Sequence, residues 1–303
     1  MTTINSYQNG NYTVTIHSDG TKVREYDGTP VPTFPESMDV KITNFCDAGC
    51  KYCHEKSTTE GKHGDILGVG LEVVSDLPRG TALAIGGGNP LDHPDLHHWL
   101  SNLHRYGLVP NMTVNALHLN SHATQLVNIV EQGLIYGLGL SYQPGFVDDL
   151  IDWSNWYEHT VVHMIMGVHT VQQLQELIDH PDRTRPLKVL LLGYKQFGRG
   201  KTFYQVRPEK VELCLYEWVR KIHKFFKSGA VLSFDNLGIE QLDLKRFFSK
   251  EKWQQFYMGD DGKFTMYMDL VRQEFALSST SADKKPIGDK DIVEMFKEIR
   301  DAT

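Results

Sequence analysis

Apolar and polar positions alternate from the start of the chain. Tyr12-Thr13-Val14-Thr15-Ile16 changes face at every residue and predicts a strand, Ser18-Asp19-Gly20 a turn, and Lys22-Val23-Arg24-Glu25-Tyr26 the returning strand of a hairpin. Pro30, Pro32 and Pro35 then make a stiff link. From Met38 onward two periods take turns. Strand-like tracts at 39–43, 82–85, 110–115, 135–141, 161–166 and 188–192 are interleaved with tracts of helical period at 96–106, 123–132, 147–157 and 171–180. Such β-then-α units predict parallel strands joined by crossover helices, an open or closed barrel. In the first unit a long Cys- and Gly-bearing segment replaces the short turn.

After Gly193 the pattern changes. The basic, Gly-rich stretch 195–202 is expected to be a flexible loop over the barrel mouth, followed by an amphipathic helix over 211–227. Short strands at 230–234, 264–270 and 274–278 and a helix near 291–299 follow. The expected organisation is an N-terminal β-hairpin (1–35), a barrel core (36–205) and a mixed α+β C-terminal extension covering the barrel mouth (206–303).

Composition narrows the class. Over 303 residues, 40% are hydrophobic and 23% charged, which excludes disorder as the main state. A net charge of −7 argues against a nucleic-acid binder working by bulk electrostatics. No apolar run approaches the ~18 residues of a membrane span. The opening Met1-Thr2-Thr3-Ile4-Asn5-Ser6 has no basic-then-apolar pattern, so the expectation is a cytoplasmic protein without a signal peptide.

Three of the four cysteines stand within eight positions, in Cys46-Asp47-Ala48-Gly49-Cys50-Lys51-Tyr52-Cys53, directly after the first barrel strand. Three thiolates at C-x3-C-x2-C spacing can hold three irons of a [4Fe–4S] cube and leave the fourth iron open. The competing reading is a zinc knuckle that borrows His54 or His63, although zinc sites usually pair C-x2-C with a second, distant pair. Cys214 is left alone on the amphipathic helix, where a lone thiol is most often buried filler.

With Tyr52 just before its last Cys, this loop resembles that of the radical S-adenosylmethionine (SAM) superfamily. The resemblance covers roughly 39–192 and implies a partial (β/α)6 barrel. It also implies an open iron that chelates the amino and carboxylate groups of SAM, and reductive cleavage to methionine and a 5′-deoxyadenosyl radical that abstracts hydrogen from a substrate. Gly86-Gly87-Gly88-Asn89-Pro90, at the end of the second strand, is similar to the family's Gly-Gly-Glu-Pro element, whose glycines let backbone carbonyls reach the SAM amino group. Asn89 departs from the family's Glu and supplies no negative charge.

Polar residues at later strand ends are candidates by position, because sites in such barrels collect at that face. Asn115 ends the third strand. Ser141 and Gln143 would reach the ribose or carboxylate of SAM, and Ile165 and Gly167 would pack along the adenine. Lys195, Arg199 or Lys201 could pair the SAM carboxylate or an anionic substrate group. Gly200-Lys201-Thr202 matches the end of a phosphate-binding loop, but Lys195 stands where its first glycine belongs. Asp92-His93-Pro94-Asp95-Leu96-His97-His98 predicts a helix N-terminus rather than a metal site. His54, beside the cluster loop, is placed to hydrogen-bond a sulfide or the substrate.

The expectation is an enzyme with one [4Fe–4S] cluster, S-adenosyl-L-methionine and an electron donor such as flavodoxin or ferredoxin. Its substrate would be a peptide or protein side chain, for which the C-terminal aromatics Trp253, Phe256, Tyr257, Phe264 and Tyr267 would form a groove. A nucleotide or other small metabolite is the alternative. A non-enzymatic iron–sulfur or zinc protein with a structural or sensing role is the reading of another class.

Overall fold

The computed structural model describes residues 2–18 and 21–301. Asp19 and Gly20 of the expected turn lie outside them. β1 (Thr3–Asn9), β2 (Tyr12–His17) and β3 (Lys22–Glu25) form an antiparallel three-stranded sheet, so the expected hairpin has one strand more. β1 carries few apolar residues and gives a weak alternation signal.

The main sheet begins with β4 (Ser37–Thr43) and continues through α1 (Val69–Val74), β5 (Ala82–Gly87), α2 (Leu96–Tyr106), β6 (Val109–Asn115) and α3 (Ala123–Glu131). Next come β7 (Gly137–Ser141), α4 (Val147–Trp156), β8 (Thr160–Ile165), α5 (Val171–Ile178) and β9 (Lys188–Leu192). Beyond β9 lie α6 (Gly198–Val206), α7 (Pro208–Lys221), β10 (Val231–Phe234), α8 (Asn236–Leu242) and α9 (Lys250–Phe256). β11 (Thr265–Asp269), β12 (Glu274–Ala276), β13 (Lys285–Pro286) and α10 (Ile292–Arg300) complete the described elements. The strand order is β10-β9-β8-β7-β6-β5-β4-β11-β12-β13, parallel from β10 to β11 and antiparallel beyond, with β10 and β13 as edges.

Three expectations for the C-terminal third change. The stretch taken for a flexible loop enters α6 at Gly198. The helix expected over 211–227 starts at Pro208 and tightens to 3-10 geometry over Ile222–Lys227. Two of the expected short strands, β10 and β11, join the parallel sheet at opposite ends of the barrel run.

Each parallel strand has two unlike faces, as the period of two requires. Val40 and Ile42, Met112 and Val114, Leu138 and Leu140, and Val162 and Met164 are buried in the core that the helices cover. α2 meets them with Leu96, Trp99, Leu100 and Leu103, an i, i+3, i+4, i+7 stripe. The alternate positions, among them Asp39, Lys41, Thr113, Ser141 and His163, line an internal cavity instead.

The small N-terminal sheet covers the other end. Tyr12 packs edge-on against Phe264 at 6.1 Å, and Glu36 takes a fork from Arg24 (2.8 and 2.9 Å) and the Tyr12 hydroxyl (2.6 Å). Glu36 and Phe264 directly precede β4 and β11, so the sheet sits at the N-terminal ends of the strands.

Candidate active site in a thiol-lined cavity

The segment after β4 leaves the sheet at Asn44 and returns near His63. Its course is fixed by main-chain bonds: Cys46 N donates to Thr58 O (3.0 Å), Gly88 N to Thr43 O (2.7 Å) and Asn89 N to Phe45 O (2.8 Å). A Cβ on Gly88 would collide with Phe45 O, so the loop lies directly on the glycine run. Arg199, at the start of α6, clamps the loop from above. Its Nε donates to Cys50 O and its Nη1 to Ser57 O, both at 2.8 Å, and its own N–H donates to Cys53 O at 2.9 Å.

Cys46, Cys50 and Cys53 all face a cavity of about 350 Å³ at the C-terminal ends of the strands. Cys50 Sγ receives Asn115 Nδ2 (3.6 Å) and Gln143 Nε2 (3.8 Å), and Cys46 Sγ has His118 Nε2 at 3.8 Å. Burial pushes the thiols of Cys46 and Cys50 up, so thiolates here call for positive charge beside them. Among the described residues no three His, Cys, Asp or Glu side chains stand close enough to hold one metal ion. Three thiols on one loop, facing one cavity, fit an iron–sulfur cluster with an open position better than a single-ion cage. The histidines considered as a fourth ligand are engaged elsewhere: His54 with Glu55 (3.3 Å), and His63 with Thr43 Oγ1 (3.0 Å).

The structure brings most of the sequence candidates to this cavity. Tyr52, Gly86, Gly87, Gly88, Asn115, Ser141, Gln143 and Lys195 line it with the cysteines. Gln143 Nε2 also donates to Tyr52 Oη (3.0 Å), and Lys195 Nζ donates to Ser279 Oγ (3.1 Å). Asn89, Gly167 and Lys201 are not in its wall. Asn89 is buried and turned into the following 3-10 turn, accepting from Leu91 N (3.4 Å) and donating to Asp92 (2.7 Å). Gly167, at φ +85°, packs against Tyr194 and Val211 on the far side of its turn. Of the C-terminal aromatics only Tyr267 reaches the cavity; Trp253, Phe256 and Tyr257 stack on one another and on Phe248, and Phe264 on Tyr12. Cys214 is outside the wall too, its Sγ at 3.2 Å from His169 O.

Several cavity residues are absent from the sequence reading. Asp39, Lys41, His163 and His169 are ionisable residues inside or just after apolar strands, and that placement is the signal that marks them. Lys41 Nζ pairs with Glu55 (2.6 Å) and Asp269 (3.1 Å), tying the thiol loop to β11. Burial alone would raise the Glu55 carboxyl, but His54 and Lys41 pull it down to about 2. His163 and His169 are held at about 4 by burial and are neutral at pH 7.

No protein-family model matches the sequence, and no curated protein matches it. Solved structures do. SuiB of Streptococcus suis bound to S-adenosylmethionine aligns with a TM-score of 0.60 at 14% identity, over 89% of this chain and 68% of that one. SuiB bound to precursor peptide SuiA gives 0.62 at 13%, over 88% and 65%, so the chain spans about two thirds of SuiB. His-tagged anSMEcpe with bound AdoMet gives 0.59 at 12%, over 86% and 80%. These neighbours are radical SAM enzymes. The chain aligns with these structures over 86–89% of its length and so has the radical SAM fold, with its three-thiol loop at the C-terminal mouth of the parallel sheet.

Proposed function

We propose that the protein is a radical SAM enzyme that acts on a peptide or protein side chain. The observation that carries this is the convergence of Cys46, Cys50 and Cys53 on the cavity of a radical SAM fold. The cysteines would hold a [4Fe–4S] cluster, which when bound supplies the electron that cleaves SAM to methionine and a 5′-deoxyadenosyl radical. The half-buried main chain of Gly86–Gly88, in the cavity wall, would receive the SAM amino group. Ser141 and Gln143, in the cavity wall, would take its ribose or carboxylate. Asn115 and Gln143 donate toward Cys50 and would orient that ligand. The peptide substrate is favoured by SuiB, a fold neighbour solved with its precursor peptide. An electron donor of the flavodoxin or ferredoxin kind completes the proposal.

The test is anaerobic. Reconstituted protein with SAM and dithionite should yield 5′-deoxyadenosine, and the Cys46→Ala/Cys50→Ala/Cys53→Ala variant should yield none. A wild-type protein with full iron and sulfide that forms no product would remove the enzyme reading and leave a structural or sensing cluster.

A further inference from the structure

The floor of the cavity holds polar groups that the thiol loop does not use. Asp39, in the middle of β4, stands in register between Ala84 of β5 and Tyr267 of β11, and all three face inward. Ala84 is too small to cover the carboxylate, which is open to the cavity. The acids around it are engaged. Asp235 accepts from Gly193 N (2.8 Å) and Gly238 N (2.7 Å), Asp261 accepts from Asn236 Nδ2 (2.5 Å), and Asp269 pairs with Lys41. Asp39 has no hydrogen bond or ion pair among the described residues. Lys195 is the cation that acts on it, and its ammonium donates to Ser279 instead.

A second observation is independent of these charges. Tyr267 is 3% exposed and lines the same cavity, and its buried hydroxyl has no hydrogen-bond partner. Buried hydroxyls are normally paired, so an orphan on a residue that lines a cavity marks a place where a ligand atom can supply the missing partner. Lys195 faces the same cavity, while Asp261 and Asp235 act on Asp39 from outside its wall. Enclosure by the surrounding protein pushes the Asp39 carboxyl up even though the side chain is open to the cavity, and Lys195 only partly offsets this. A ligand that brings positive charge and hydrogen-bond donors supplies the partner this carboxylate lacks.

We propose that Asp39 and Tyr267 form a recognition subsite for a primary ammonium group of the substrate, which donates to the Asp39 carboxylate and to Tyr267 Oη. The subsite rests on the function proposed above and names its substrate class: an amine, presented as a lysine side chain or as a small alkylamine.

Calorimetric titration of the reconstituted protein with SAM tests it, using three probes: Nα-acetyl-lysine N-methylamide, the same compound acetylated on Nε, and n-butylamine. Wild type is expected to bind the lysine probe at least tenfold more tightly than its Nε-acetylated form. Asp39→Asn should reduce that preference to near unity, and Tyr267→Phe should weaken the lysine probe several-fold. Tighter binding of the lysine probe than of butylamine assigns the ammonium to a peptide residue, and equal binding to a small amine; either result upholds the subsite. Equal affinity of wild type for charged and acetylated probes overturns it, as does a folded Asp39→Asn protein that keeps the preference. Should Asp39→Asn not fold, a Tyr267→Phe protein with unchanged affinity overturns it. The same preparations are assayed for 5′-deoxyadenosine. Product without a charge preference sinks the subsite alone; a charge preference without product sinks the enzyme reading alone.

Discussion

Arg199 gives its guanidinium to main chain rather than to an anion. With Cys50 O and Ser57 O as acceptors, it fixes the segment that carries two of the three thiols. Replacing it by Met removes both charge-assisted bonds, worth about 1.5–3 kcal/mol each and less than additive. The expected result is a loss of about 3 kcal/mol in unfolding free energy, by urea denaturation of the apo-protein, and fewer irons per chain after reconstitution. Arg199→Lys should not restore either, because an ammonium cannot span two acceptors in the fixed geometry of the fork. Asn89 teaches a similar lesson about reading single residues. Its motif position suggests a ligand, yet its side chain caps the turn over Pro90–Asp92, where an amide serves as well as a carboxylate.

Between elements, Lys41 is the joint: one ammonium on β4 meets Glu55 of the thiol loop and Asp269 of β11. Lys41→Met would leave both carboxylates without their cation. Breaking a buried pair of this kind costs about 3–5 kcal/mol, which thermal denaturation should show as a large fall in midpoint. Lys41→Met/Asp269→Leu should recover part of that loss. The elements that meet here differ in how legible they were. β4 to β9 and α2 to α5 stand out in the sequence because strands buried on one face and stripes of i, i+3, i+4 residues repeat with little interruption. α2 matches its expected span of 96–106 at both ends. α6 did not stand out, since Gly198, Gly200 and two basic residues suggest a loop. The left-handed φ of +55° at Gly198 is what turns the chain into the helix, against His54 O, where a Cβ would collide. The pairing of β11 with β4 has no local signature at all.

At the scale of the whole molecule the cavity leaves neutral imidazoles deep inside the fold. Burial holds His163 and His169 at about 4, whereas the unfolded chain titrates near 6.5. Their folded pKa values lie below the unfolded ones, so as pH falls through about 6.5 the unfolded state takes up protons that the folded state refuses. Urea midpoints should therefore be flat in this contribution above pH 7 and decline between about pH 6.5 and 4. His163→Leu should make that decline shallower.

The place of β11 has a consequence for how the protein is made. Its strand partner β4, and the thiols just after it, belong to the first fifth of the chain, while Tyr267 and Asp269 come near its end. At roughly 5–20 residues per second, translation leaves an interval on the order of tens of seconds between them. During that interval the three thiols are already on a nascent chain whose cavity lacks one wall. The ribosome's timetable thus opens a period in which oxidants and stray metal ions compete for the sulfur atoms, and it closes only when the last parallel strand docks beside the first.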